Sequence, residues 1–290
     1  MRVLVLGAGG MAGHVITLSL AAKGYCVTGF ARRELPFCDT IIADACDIKK
    51  LESVLENYNF DAVVNCIGVL NRAVDDRPYT GIWLNSCLPH LLAELTANTP
   101  ARIIHLSTDC VFSGHESGNY QEDSFRSADT LYGRSKALGE LNDAKNLTFR
   151  TSIIGPDTNK AGIGLFNWFM RQLGQVQGYT RAIWTGVTTV VLAEAIAMAL
   201  ERNLTGLYHL VNDIKIDKYN LLRLFNSLRA VPVAIHPDDR ICEDKSMLNC
   251  RTDFPFQVPP YEQMVAEMGK WIIDHKAQYP HYFAKEQLYE

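Results

Sequence analysis

The sequence predicts an α/β fold: a doubly wound parallel sheet followed by a smaller, interleaved C-terminal lobe. Three observations predict it. Short apolar runs alternate with helical patterns from residue 3 to residue 151, the rhythm that builds a parallel sheet covered by helices on both faces. The first run, Val3–Leu6, passes directly into Gly7-Ala-Gly-Gly-Met-Ala-Gly13. A glycine turn between a strand and a helix is where such sheets cradle the phosphates of a dinucleotide. Past residue 155 the alternation loosens, yet Gly206–Val211 again reads as a strand able to rejoin the first sheet. The expected division is a dinucleotide-binding domain over 1–155, rejoined by a segment near 188–212, and a substrate-binding lobe over 156–290.

Composition narrows the class. A chain of 290 residues, 48% of them hydrophobic, can bury one large core or two lobes. A net charge of −4 and a pI near 6.1 offer no basic footprint for nucleic acid or an anionic membrane. No apolar run nears the roughly 20 residues of a membrane span, and the N-terminus is too short in apolar residues for a signal-peptide core. The eight cysteines show no Cys-x-x-Cys and no metal-like pairing with histidine, so they read as free thiols, most of them in apolar surroundings. The expectation is a cytoplasmic protein with no metal and with neither nucleic acid nor membrane as a partner.

Taken in order, the helical pattern after the glycine turn runs to Ala22. Two spacings fit the turn. Gly7, Gly9 and Ala12 match G-x-G-x-x-G/A, and Gly7, Gly10 and Gly13 match G-x-x-G-x-x-G; both put Met11 at the helix start, against a pyrophosphate. The second strand, Tyr25–Phe30, ends without the carboxylate that would hold the ribose of NAD, and Arg32 and Arg33 follow. Forked cations suit a 2′-phosphate, which favours NADPH over NADH; the alternative is two solvated arginines. A third strand from Ile41 leads to Asp44 and Ala45, and Asp47 is placed to cap a helix over 48–58. Asp44 reads either as a partner for the adenine amine or as a turn carboxylate.

The fourth strand, from Asp61, is apolar and runs into Cys66, Ile67 and Gly68, a small-residue turn where a nicotinamide ribose could lie. A helix over 79–98 carries Leu84, Leu88, Leu91, Leu92 and Leu95 at core spacing. The fifth strand, Ala101–Leu106, delivers Ser107-Thr108-Asp109 at its carboxyl end. Ligands bind outside the carboxyl ends of parallel strands, so Gly7, Asn65–Gly68 and Thr108 should share one edge. His105, inside the strand, reads as a satisfied core side chain. On a helix over 130–144, Tyr132 and Lys136 stand one turn apart on the same side. A phenol has a pKa of about 10; a lysine cation beside it favours the phenolate and brings it within reach of general acid–base work. The Thr108 hydroxyl could then orient a carbonyl. After a sixth strand over 147–151, helices are expected over 162–174, 186–203, 216–228 and 260–276, with an irregular, proline-containing stretch between the last two. Trp184 reads either as a ring stacked on a substrate or as core.

These residues together carry a family resemblance over nearly the whole chain. It resembles the extended short-chain dehydrogenase/reductases, whose domain is of the Rossmann type, and more narrowly the dTDP-4-dehydrorhamnose reductase family of sugar-nucleotide enzymes. The motifs are Gly7–Gly13, Val63-Val-Asn65, Ser107-Thr-Asp-Cys-Val-Phe-Ser-Gly114, Tyr120-Gln-Glu-Asp123, Tyr132-Gly-Arg-Ser-Lys-Ala-Leu-Gly-Glu140 and Phe149-Arg-Thr-Ser152. The resemblance implies Thr108, Tyr132 and Lys136 as a catalytic triad, with Tyr132 giving a proton to the sugar oxygen. It implies hydride transfer from NADPH to C4 of a nucleotide-linked keto sugar, Lys136 on the ribose, and Thr108 and Asp109 on the sugar. It leaves a homodimer open.

Four positions depart from the family pattern. Cys110 stands where it usually has Tyr, Ala128 where it has Pro, Ile153 where a Trp contacts substrate, and Gly186-Val-Thr-Thr189 replaces Gly-x-Pro-Thr. They point to a pocket for another nucleotide 4-ketohexose. Related 4,6-dehydratases carry Glu at the Cys110 position, which disfavours dehydration here. A C4 epimerase or epimerase-reductase is one alternative. A non-catalytic NADP-binding subunit like that of methionine adenosyltransferase is another.

Overall fold

A computed structural model describes residues 1–283 of the chain. Its first half comprises β1 (Arg2–Leu6), α1 (Met11–Ala22), β2 (Cys26–Ala31), β3 (Asp39–Ile42), α2 (Ile48–Asn57), β4 (Ala62–Asn65), α3 (Arg72–Asp76), α4 (Pro78–Ile82), α5 (Leu88–Leu95), β5 (Arg102–Thr108), α6 (Leu131–Leu138) and β6 (Leu147–Thr151). The second half adds β7 (Ile153–Ile154), α7 (Leu165–Met170), β8 (Gln175–Trp184), β9 (Val187–Thr188), α8 (Thr189–Arg202), β10 (Gly206–His209), β11 (Ile216–Asp217), α9 (Lys218–Asn226), β12 (Ala234–Asp244), α10 (Tyr261–Asp274) and α11 (Pro280–Phe283).

Seven strands form one sheet in the order β10-β6-β5-β4-β1-β2-β3, and every pairing in it is parallel. Strand β1 shows why both faces are covered. Val3 and Val5 pack with Val15, Ile16 and Leu20 of α1 and with Leu192 and Ile196 of α8. Leu4 and Leu6 point the other way, onto Leu51 and Val54 of α2 and Leu88 and Leu92 of α5. Alternation with period two thus feeds two cores from one apolar run. Asp47 caps α2 by accepting from Lys50 N at 3.1 Å, and Thr188 caps α8 by accepting from Val191 N at 3.3 Å.

The second half departs from expectation in several places. A three-stranded sheet, β11-β8-β12, stands where helices and irregular chain were expected; β8 and β12 pair in parallel and β11 antiparallel. Most of β12 is exposed, so it lacks the apolar run that marks a strand in sequence. The helix expected over 162–174 is only α7, because Gly164 and Gly174 both take positive φ (95° and 70°) and break the helix on either side. The helix expected over 79–98 is interrupted by a π-helical turn, Trp83–Cys87, and α6 stops at Leu138. Cysteines 26, 46, 87, 242 and 250 are exposed, against the expectation of mostly apolar surroundings; Cys26 opens β2 and Cys242 lies on the exposed β12.

Candidate active site

The carboxyl ends of β1 and β4 stop level, with Leu6 beside Asn65 in register, while β5 passes Asn65 at His105 and runs on three residues to Thr108. Gly7 leaves β1 at a φ of 74°, and a Cβ added there would sit 3.0 Å from the Ile67 side chain, so the glycine turn and the 66–68 turn adjoin. A Cβ on Gly13 would land on the Gly7 carbonyl. The backbone therefore requires glycine at 7 and 13, which favours the G-x-x-G-x-x-G spacing. Helix α1 starts at Met11 from Gly10, with no side-chain cap and no acidic residue in its first turn. Its leading N–H groups meet no competing side chain and suit an anion.

Arg32 and Arg33 are exposed just past β2, and Asp44 is exposed past β3, beside a buried Ala45. Asp44 Oδ1 accepts from Cys46 N at 2.8 Å, which is the turn role read as its alternative. The other carboxylate oxygen stays open to an adenine. All four lie at the same sheet edge as the glycine turn.

Strand β5 ends in Thr108, whose Oγ1 donates to Asp109 Oδ1 (3.0 Å) and accepts from Cys110 N (3.1 Å). Thr130 caps α6 by accepting from Gly133 N at 3.1 Å, which sets the helix bearing Tyr132 and Lys136 against this strand end. Both side chains are buried. Burial pushes the Tyr132 phenol well up, as do Cys110 and Asp109, while hydrogen bonding by Thr108 pulls it back. The lowering of the phenol expected from Lys136 is not what the structure gives. The reason is geometric: Lys136 Nζ turns to β5, donating to Leu106 O at 2.6 Å and lying 3.2 Å from His105 Nε2. Burial brings the lysine down to about 8, against the pull of Glu140 and Cys66. Burial also pushes the Cys110 thiol up to about 12, helped by Asp109 and opposed by Lys245 and Thr108.

Several residues of the site were not singled out from sequence. Asn85, in the π-helical turn, accepts from Val69 N (2.8 Å) and donates to Val69 O (2.8 Å) and Ser135 Oγ (3.0 Å). It ties the chain just past Gly68 to α6; an asparagine breaking a leucine-rich helix was the available signal. Glu140 accepts from Ser107 Oγ (2.7 Å) and from Arg150 Nε and Nη2 (both 2.7 Å), locking the end of α6 to β5 and β6. Lys245, past β12, pairs with Glu243 at 2.7 Å and lies near Cys110 and Asp109.

The expected substrate contacts part company. Ile153 is half-buried next to β9, beside the 151–152 chain. Trp184 is 5% exposed, inside the main core beside Tyr261. It has no open face for a ring to stack on, so the core alternative holds. Its ring packs against that of Tyr261, with centroids 5.8 Å apart, and the Tyr261 hydroxyl donates to Ile214 O at 2.7 Å.

Comparison with known proteins follows the same lines. The family model described as the RmlD substrate binding domain matches residues 1–239. The dTDP-4-dehydrorhamnose reductase of Salmonella typhimurium is 28% identical over 296 aligned positions, covering 92% of this chain and 97% of that protein. A probable low-salt glycan biosynthesis reductase of Haloferax volcanii is 32% identical over 143 residues; the match spans only about half of either protein, 48% of each. Among solved structures, the dTDP-4-dehydrorhamnose reductase of Bacillus anthracis in complex with NADP superposes with a TM-score of 0.79. It covers 92% of this chain and 98% of its own at 18% identity, a likeness of fold.

Proposed function

The chain belongs to the family of the RmlD substrate binding domain, and on that premise we propose that it reduces the 4-keto group of a nucleotide-linked deoxyhexose with NADPH. One observation carries the reading. Thr108, at the end of β5, and Tyr132 and Lys136, on the helix set against it, share the carboxyl edge of the sheet with a glycine turn one strand beyond β4 that a Cβ at 7 or 13 would obstruct. Reductases named for dTDP-4-dehydrorhamnose, and the NADP held by the Bacillus anthracis enzyme, support it.

When bound, the reduced nicotinamide supplies the hydride that adds to C4. Gly7, Gly10, Met11, Ala12 and Gly13 hold the pyrophosphate, Arg32 and Arg33 the 2′-phosphate, Asp44 and Ala45 the adenine, and Cys66, Ile67 and Gly68 the nicotinamide ribose. Reduction of a ketone leaves negative charge on oxygen that must be protonated. The buried Tyr132 phenol keeps its proton at neutral pH, so it meets the substrate as the acid. Thr108 and Asp109 orient the sugar, and Lys136 serves the ribose and the phenolate left after transfer. Residues 1–155, with the segment near 188–212, bind the dinucleotide, and the rest of 156–290 forms the sugar pocket. Ile153 and Cys110 shape that pocket for a 4-ketohexose other than dTDP-4-dehydrorhamnose.

The test is a panel of nucleotide 4-ketosugars generated in situ, followed by loss of NADPH absorbance and by product analysis. Turnover of at least one supports the reading, and turnover of none overturns it. Efficient turnover of dTDP-4-dehydrorhamnose, unmatched by any other sugar, refutes the pocket assignment alone. A second reading, epimerisation coupled to reduction, is favoured by the Cys110 thiol, held protonated beside Tyr132. Deuterium from solvent appearing at a sugar carbon next to C4 distinguishes it.

A further inference from the structure

Lys136 ends a chain of hydrogen bonds whose direction can be read from its other end. The Ile67 backbone N–H can only donate, and it meets Asn65 Oδ1 at 3.1 Å. That assigns the amide, so Asn65 Nδ2 is the atom 3.2 Å from His105 Nδ1, and it donates there. An uncharged imidazole that accepts at Nδ1 carries its proton on Nε2. Nε2 in turn faces Lys136 Nζ at 3.2 Å. At this link the lysine is the acceptor, and an ammonium has no lone pair with which to accept. An amine has one, and still keeps an N–H for the Leu106 carbonyl at 2.6 Å. Asn65 and His105 are fully buried and Lys136 is 4% exposed, so a reversed link would leave two buried donors facing each other at Nδ1, which is costly.

We propose that His105 is a positioning residue that donates its Nε2–H to Lys136 and so favours the uncharged amine of this side chain, drawn towards β5, over its ammonium. Other groups bear on the pair. Glu140, past the end of α6, favours the ammonium, as does Cys66 past β4, but Glu140 is already taken by Ser107, Arg150 and Arg126. Burial disfavours charge on both Lys136 and His105, and Lys136, then His90 on α5, further disfavour charge on His105. Tyr132, one turn before Lys136, is itself uncharged. The consequence rests on the proposed reductase reading: an amine leaves the Tyr132 phenol its proton, which is the state from which reduction starts. The inference itself concerns the protein without cofactor or substrate.

The test therefore needs neither. Lysine ¹³Cε and ¹⁵Nζ resonances are titrated in the cofactor-free protein, the Lys136 signal being the one lost in Lys136→Met. Lys136 should titrate well below the exposed lysines. His105→Leu removes a donor that stabilises the amine, so the midpoint should rise, by about one pH unit. His105→Gln, which keeps an N–H donor, should leave it near the parent value. A midpoint that falls or stays in His105→Leu overturns the proposal, as does a parent Lys136 that titrates with the exposed lysines. If His105→Leu does not fold, the ¹⁵N shifts of His105 in the parent decide: protonation at Nε2 supports the inference and protonation at Nδ1 overturns it. Absence of ketosugar turnover would refute the reductase reading and leave these titrations as they stand.

Discussion

The central strands of the seven-stranded sheet and the strands of the three-stranded sheet are buried in opposite ways. In the seven-stranded sheet, β4 and β6 are buried at every position and β1 at all but its first. In the three-stranded sheet, β12 has a single buried residue, Asp238, and β8 buries one face only, at 176, 178, 182 and 184. Strands clamped between two helical layers end at fixed heights, and side chains at those ends keep fixed relations to one another. A half-exposed sheet cannot hold groups so closely. The candidate acid, its threonine and its lysine all sit on or against the first kind of support, while Lys245, just past β12, is what the second region brings near Cys110 and Asp109. The candidate site residues are concentrated where burial is two-sided.

The sharpest way to break that comparison is Tyr132→Phe, which keeps the ring and removes the proton. Single-turnover hydride transfer should fall roughly 10²–10⁴-fold, with thermal stability nearly unchanged. A rate equal to the parent's would remove Tyr132 as the acid. Next in size is the loss of both arginines past β2. Arg32→Ala with Arg33→Ala should cut the preference for NADPH over NADH about 10- to 100-fold by direct binding titration, leaving NADH affinity little changed. Equal affinities in the parent would sink the cofactor assignment.

The second region is probed by Arg229, 1% exposed, which donates to the carbonyls of Val231, Phe169, Met170 and Gln172. Arg229→Met should lower stability by about 1–3 kcal/mol in urea unfolding, since buried acceptors lose their donor. Its kcat at low temperature should stay near the parent's. A lost kcat at full stability would show that the lobe does more than wall the site. The smallest effect expected is from Trp184→Phe. A trimmed core ring should cost ~1–2 kcal/mol of stability without moving KM for the sugar nucleotide. A raised KM with stability intact would return Trp184 to the substrate.

How much of this was legible in sequence differs between the same two regions. Among the first six strands β1 and β4 are nearly continuous apolar runs and the others are short apolar-containing stretches between helical patterns, so each stood out locally, as did Asp47 at a helix start. Strand β12, Ala234-Ile-His-Pro-Asp-Asp-Arg-Ile-Cys-Glu-Asp244, has neither a run nor a clean alternation, and it exists because it pairs with β8 more than fifty residues earlier. Asn85 and Glu140 were passed over for a similar reason. Their partners, Val69 and Ser135 for one, Ser107 and Arg150 for the other, lie on other segments, ten to fifty residues away in the chain.

By itself the sequence determined the parallel sheet, the glycine turn and the one-turn spacing of Tyr132 and Lys136. These follow from periodicity and from steric rules acting within a few residues. Only the tertiary structure decided which glycine spacing the backbone requires, since that depends on the Gly7 carbonyl meeting Gly13 across the turn. It alone put Trp184 inside the core rather than at an opening. It also turned Lys136 from Tyr132 towards His105 and the Leu106 carbonyl. A helix brings the phenol and the amine to one side; the buried donors and acceptors of the neighbouring strand decide where the amine points and whether it carries charge.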